Sequence, residues 1–335
     1  MSSQKLFGKI SLVLVVALIA GLVSVSGFAA ENSTSEKPVQ IIYMPGGPPG
    51  GSFASVKAKG ARDAAKILGD RVNLKIRYGN WNPQNDAKLF QESMGMNPDG
   101  IAVVGWGAIE PFIEQAIDNE IIVTTQNVPL PEMESQYKAK GFGYVGQEQY
   151  SSGYTLGKAA VNRSGLEEGD KALVWGLKSE PKRGQRTQGA IDALKEEGLE
   201  VDYIEISAKV DKDPANGIPV MTGYLQSNPN TELVITDHGA LTATQEEYFK
   251  SAGYGPDEIY GAGFDLSPAT ARAIESGYTD LTLDQQPYLQ GFLPVFQIYL
   301  STKYKFSGLH VDTGSGLVHA GNIDMIAPLV KEGIR

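Results

Sequence analysis

At 335 residues the chain can hold two domains of ordinary size, and 41% apolar with 20% charged residues is the balance of a folded body in water. A formal charge of −10, with no basic run, argues against a nucleic-acid partner, whose phosphates need clustered Lys and Arg. The lack of cysteine excludes disulfides, thiolate metal sites, thiol nucleophiles and a cysteine-linked lipid anchor.

The first thirty residues have the order of a secretory signal. Lys5 and Lys9 precede the apolar run ISLVLVVALIAGLVSVSG, and small residues follow, placing a cut near Ala29 or Ala30. Removing both lysines would take the charge from −10 to −12. The same stretch could instead stay as an uncleaved membrane anchor; both readings put the body outside the cytoplasm. Residues 31–36 read as a short polar tether.

From residue 38 onward, short β-branched runs alternate with stretches of helical period. The expected strands are VQIIY, VNLKIRY, GIAVVGW, IIVTT, GFGYV, KALVWG, VDYIEIS, ELVIT, IYGAGF and DLTLD. Between them the spacing predicts helices such as Phe53–Leu68, Ala87–Met94, Ser151–Val161, Gln185–Glu197 and Thr242–Ala252. This alternation predicts an α/β fold with parallel sheets covered by helices on both faces. About ten strands exceed one comfortable sheet, so two lobes are expected, with Val145–Ser152 as a candidate crossing.

In open parallel sheets, ligands bind beyond the carboxyl ends of the strands, so the residues following each strand are the candidates. The first strand runs into MPGGPPGG, then Ser52 and Phe53. That loop lacks the Gly-Lys-Ser/Thr ending of a phosphate loop and the Gly-x-Gly-x-x-Gly of a dinucleotide fold. Its two prolines also remove backbone donors. It reads as one wall of a cleft, its glycines allowing close approach of a small ligand. GIAVVGW ends at Trp106, IIVTT leads to Asn127, and ELVIT leads to Asp237 and His238. IYGAGF ends at Asp265, DLTLD leads to Gln285, and the loop after KALVWG carries Arg183 and Arg186. Carboxylates, amides, an imidazole and guanidiniums beside aromatic rings match a small neutral polyhydroxy ligand, whose hydroxyls both donate and accept.

Competing roles stand beside several of these. Asp265 could cap the helix starting near Ser267–Pro268, Asn127 could bend the turn before Pro129, and Arg186 could be a surface helix residue. Trp81, Trp106 and Trp175 belong with the core more than the cleft, Trp106 having the best claim to the cleft. His310 and His319 are given no ligand role, and Gln286 reads as a hinge spacer. There is no Gly-x-Ser-x-Gly, no His-Glu-x-x-His and no metal-ligand spacing among the histidines. No catalytic residue, metal or cofactor is expected.

The stretches VITDHGALT, GAGFDLSPATARAIESG and LTLDQQPYLQGF are where the chain resembles the periplasmic sugar-binding proteins of ABC transporters, in the ribose/galactose-binding branch. The resemblance runs from about residue 38 to the C-terminus. It implies two Rossmann-like lobes joined by a three-crossing hinge, the type I periplasmic-binding-protein fold. Those lobes would be residues 37–146 plus 286–312 and residues 147–285 plus 313–335. It implies a sugar held by Phe53, Asn127, Arg186, His238, Asp265 and Gln285, with Ser52, Trp106, Arg183 and Asp237 as further candidates. His238 stands where the family usually has Asn, and a second stacking aromatic is missing from the loop holding Lys209, Asp211, Lys212 and Asp213. Implied partners are a pentose, hexose or related polyol and a membrane permease, the protein itself a monomer. A receptor that presents a sugar-like signal to a membrane sensor is the alternative.

Overall fold

In the first half of the chain, the β-branched runs form five parallel strands: β1 (Val39–Tyr43), β2 (Val72–Ile76), β3 (Gly100–Val104), β4 (Ile122–Gln126) and β5 (Gly143–Gly146). The second half supplies β6 (Lys171–Gly176), β7 (Glu200–Glu205), β8 (Thr231–Thr236), β9 (Tyr260–Phe264) and β10 (Leu281–Asp284), also parallel. Two short strands follow, β11 (His310–Asp312) and β12 (Gly316–His319). The computed structural model describes residues 37–335, so the expected signal and tether lie outside the described residues.

The strands make two six-stranded sheets, ordered β11-β5-β4-β3-β1-β2 and β12-β10-β9-β8-β6-β7. The expected strand count of about ten therefore rises to twelve. HVD and GLVH have three or four residues and no clean apolar alternation; pairing with β5 and β10 makes them strands. β12 is antiparallel to β10, whereas the other pairings are parallel. Central strands such as β3 are buried throughout, as strands covered on both faces must be.

The chain passes between the sheets three times: after β5, after β10 and between β11 and β12. The second passage runs through Gln285 and Gln286 into the helix Pro287–Tyr304, which returns to the first sheet. There Val295, Ile298 and Tyr299 join the core of Val39, Ile41, Tyr43 and Ala64, and the Tyr43 hydroxyl donates to the Gln290 carbonyl at 3.0 Å.

The expected helix Thr242–Ala252 is instead two pieces, Gly239–Thr242 and Gln245–Ala252. The break follows from a buried polar knot. Gln245 Nε2 donates to Thr236 Oγ1 at 2.9 Å and to the Ala262 carbonyl at 2.7 Å, while its Oε1 accepts from Thr279 at 2.7 Å. Satisfying a buried amide outweighs continuing one helical turn.

Two further helices place the arginine loop. Gly153, in the helix Gln149–Ser164, sits so near the helix Gln185–Glu196 that a Cβ there would lie 1.8 Å from the Arg186 carbonyl oxygen. That backbone contact fixes where the first turn carrying Arg186 begins.

Candidate functional site

The tips of strands from both sheets meet at the seam. Asn127 follows β4, Asp265 follows β9 and Gln285 follows β10. Asn127 Nδ2 donates to Gln285 Oε1 at 3.1 Å, and Gln285 Nε2 donates to Asp265 Oδ1 at 2.6 Å. The Gly239 amide closes the chain on Asp265 Oδ2 at 3.1 Å. Residues 158 positions apart thus share one hydrogen-bonded line across the sheets. Asn127 and Asp265 hold left-handed backbone, with φ of 68° and 70°, and Gln286 does so at 53°. Asn and Asp tolerate this region better than most residues. Such conformations cost free energy and persist where surrounding structure demands them. Ser267, not Asp265, caps the helix Pro268–Glu275, accepting from the Thr270 amide at 3.0 Å. The capping role once open to Asp265 is thereby taken.

Beside this line, Asp237 is buried under four donors. Arg183 Nη1 reaches its two oxygens at 2.9 and 3.1 Å, Arg186 Nε reaches Oδ1 at 2.5 Å, and the Thr187 hydroxyl and Leu177 amide reach Oδ2 at 2.5 and 2.9 Å. Burial pushes the Asp237 carboxyl up, but the two guanidiniums and Thr187 outweigh it and hold the group well below the usual carboxylate range. Arg186 is 3% exposed, so it is no surface helix residue, and its guanidinium lies 4.5 Å from the Phe264 ring centre. Burial first, and the charge of Arg183 next, draw it down to about 10. Nε is committed to Asp237, and the planar group carries further N–H donors on its two terminal nitrogens.

The remaining predicted residues sit around these. His238 Nε2 stands 3.2 Å from Asp211 Oδ1, which answers the missing aromatic: that loop contributes a carboxylate partner to His238 instead of a ring. The side-chain contact with His238 draws the Asp211 carboxyl down, against the opposing effect of burial. Trp106 is half-buried, and its Nε1 donates to Asp86 Oδ2 at 2.8 Å. Phe53 is half-buried and tilted against Trp81, ring centres 6.0 Å apart, while Ser52 is exposed at the start of its helix. Trp175 is core, 1% exposed, but Trp81 is not. The Trp81 indole covers the glycine loop, where a Cβ on Gly46 or Gly47 would lie 2.8 or 2.6 Å from it. The close approach foreseen for a ligand is thus made, at those two glycines, by Trp81.

Three residues of this region were missed by strand-tip reasoning: Trp81, Lys57 and Asp86. Lys57 and Asp86 are 0% and 1% exposed. Both were legible in another way. Lys57 lies on the buried stripe Ala54, Ala58, Ala61, Ala64, and Asp86 on the stripe with Phe90 and Ser93. A charge on a buried stripe needs a reason. Across the seam, Lys182, from the loop after β6, pairs with Glu110 at 2.5 Å and lies 3.8 Å from Glu132, both on the first-sheet side. A separate surface pocket lined by Gln91, Asp99, Asn119, Glu120 and Lys140 lies before β3 and β4, at the end of the strands opposite Asn127.

This geometry is that of a two-sheet binding fold with polar strand tips facing a seam, and the chain belongs to the periplasmic binding protein domain family, whose model matches residues 42–302. The architecture is the type I periplasmic-binding-protein fold. The xylose/arabinose-binding protein XylF of Sulfolobus acidocaldarius is 29% identical over 245 residues, 69% of this chain and 58% of that protein's length. The D-allose-binding periplasmic protein of Escherichia coli is 23% identical over 233 residues, 68% of this chain and 74% of that one. Among solved structures, a carbohydrate transporter from Acidothermus cellulolyticus 11B in complex with myo-inositol superposes with a TM-score of 0.73 at 24% identity. The match covers 89% of this chain and 100% of that one.

Proposed function

We propose that this protein is an extracytoplasmic solute-binding protein that captures a simple sugar between two lobes and delivers it to an ABC importer. The lobes are residues 37–146 plus 286–312 and residues 147–285 plus 313–335, a division that sheet membership supports. Residues 1–30 carry the chain across the membrane as a signal, and the protein acts as a monomer that docks on a permease when closed. It binds its sugar and leaves it chemically unchanged.

The observation that carries this reading is the line Asn127–Gln285–Asp265, which joins strand tips of both sheets at one place. Asp265 accepts from hydroxyls, Arg186 donates to them, and Asn127 and Gln285 do both. Asp237 and Arg183 orient Arg186, since the Asp237 oxygens are already taken by their neighbours. His238 offers a further polar contact and Phe53 a ring face for the sugar C–H groups. A sugar touching both halves binds the closed form better than the open one, and that difference drives hinge closure. Several charge-assisted bonds at about 1.5–3 kcal/mol each, less ordering costs, supply the roughly −8 kcal/mol of a micromolar site.

A thermal-shift screen of the mature chain against neutral pentoses, hexoses and polyols tests this. A sugar at about a hundred times its Kd adds roughly 2.7 kcal/mol of stability, which appears as a rise in Tm. A full panel without any rise would overturn the reading.

A further inference from the structure

Lys57 and Asp86 are fully buried charged side chains near the seam that the site so far does not use. Lys57 Nζ is fully buried and has no hydrogen-bond partner among the described residues. It lies 5.3 Å from the Phe53 ring centre and 5.6 Å from that of Trp81, and it feels the charges of Asp86, on its own side, and of Asp265, from the opposite sheet. Asp86 gives Oδ2 to Trp106 Nε1, while its Oδ1 is buried and likewise unpartnered. One orphan donor and one orphan acceptor therefore lie within electrostatic reach of each other, the donor beside two aromatic rings.

We propose that Lys57 and Asp86 form a hydroxyl-binding subsite on the first-sheet side of the seam, which together with the Asp265–Arg186 side selects an uncharged sugar. This rests on the sugar-binding reading above. A single hydroxyl satisfies both orphans, accepting from Nζ and donating to Oδ1. Burial lowers the Lys57 amine well below its usual value and raises the Asp86 carboxyl to about 6, the mark of charges that have lost water without gaining a full partner. Leaving either group unmatched costs free energy that a bound hydroxyl recovers. In the buried part Lys57, Arg183 and Arg186 oppose Asp86, Asp237 and Asp265, while Asp211, Glu110 and Glu132 against Lys182 add a surplus of carboxylates at its edge, so a ligand carboxylate would add a charge without a free counterion.

The experiment measures calorimetric Kd and sugar-free Tm for wild type, Lys57→Met and Asp86→Asn, with D-xylose, L-arabinose, D-allose, myo-inositol and D-glucuronate as probes. Lys57→Met keeps an unbranched stem, one atom shorter, and removes the buried ammonium. The sugar-free Tm should hold or rise, while Kd for the bound neutral sugar weakens about tenfold or more. Asp86→Asn keeps an acceptor for Trp106 and should weaken the same sugar. D-glucuronate should bind wild type more weakly than D-xylose, which lacks its carboxylate. If Lys57→Met lowers the Tm and leaves Kd unchanged, the lysine is structural and the subsite falls while the sugar-binding reading stands. If Asp86→Asn alone fails to fold, the Lys57→Met pair of readouts still decides. If no probe binds wild type, the sugar-binding reading falls and the subsite falls with it.

Discussion

Asp237→Asn tests how the arginines are held. The substitution keeps the shape of the side chain and removes its charge. Every neighbour of the carboxylate is a donor: Arg183, Arg186, the Leu177 amide and the Thr187 hydroxyl. Whichever way the new amide turns, its NH2 faces an N–H, and Thr187 alone can reverse its bond. Two guanidiniums, one of them 3% exposed, lose the carboxylate they share. Breaking a buried pair from one side costs about 3–5 kcal/mol, or roughly 5–8 °C in Tm for about 300 folded residues. The pH dependence carries its own signature. The folded-state pKa of Asp237 lies below the unfolded value near 3.9, so its contribution is complete above that value and fades as pH falls through the folded one. Urea melts from pH 3 to 7 should therefore show a wide gap between wild type and Asp237→Asn at neutral pH that narrows below about pH 4. A variant as stable as wild type at pH 7, with unchanged sugar affinity, would refute the claim that Asp237 organises Arg183 and Arg186.

Asp265→Ala and Arg186→Ala should each remove most of the sugar-induced rise in Tm, and a full response from both variants would place the sugar elsewhere. Asp284 behaves opposite to Asp237: burial, partly offset by Arg335, raises its carboxyl to about 6, so its contribution to stability is lost as pH rises from about 4 through 6. Asp284→Asn should flatten that part of the urea midpoint profile, and an unaltered slope between pH 4.5 and 7.5 would count against the assignment. Lys182→Met removes the pair with Glu110 and the approach to Glu132. Because these groups are partly exposed, the effect is at most about 1 kcal/mol, a loss of affinity of less than tenfold that shrinks further in high salt. Small-angle scattering should show a more open sugar-free protein, and an unchanged radius of gyration would deny the pair any part in closure.

The order and type of the long elements were legible in the sequence because their causes are local. A β-branched run such as VQIIY and a stripe such as Ala54, Ala58, Ala61, Ala64 carry their periods within a few residues. The candidate residues were legible for a related reason: a parallel sheet sends its ligand-facing groups to the strand ends, so Asn127, Asp265 and Gln285 could be picked by position. Their contact could not be, since it joins atoms on different sheets 158 residues apart. Tertiary structure also decided that HVD and GLVH are strands, through pairing with β5 and β10. It decided that Gln245 breaks a helix to satisfy buried neighbours, and that Trp81 rather than a ligand lies on Gly46 and Gly47. It left Lys57 and Asp86 buried beside each other with unmatched atoms. Hydrogen bonds and desolvation are settled by what surrounds an atom in space, and no window of neighbouring residues carries that information.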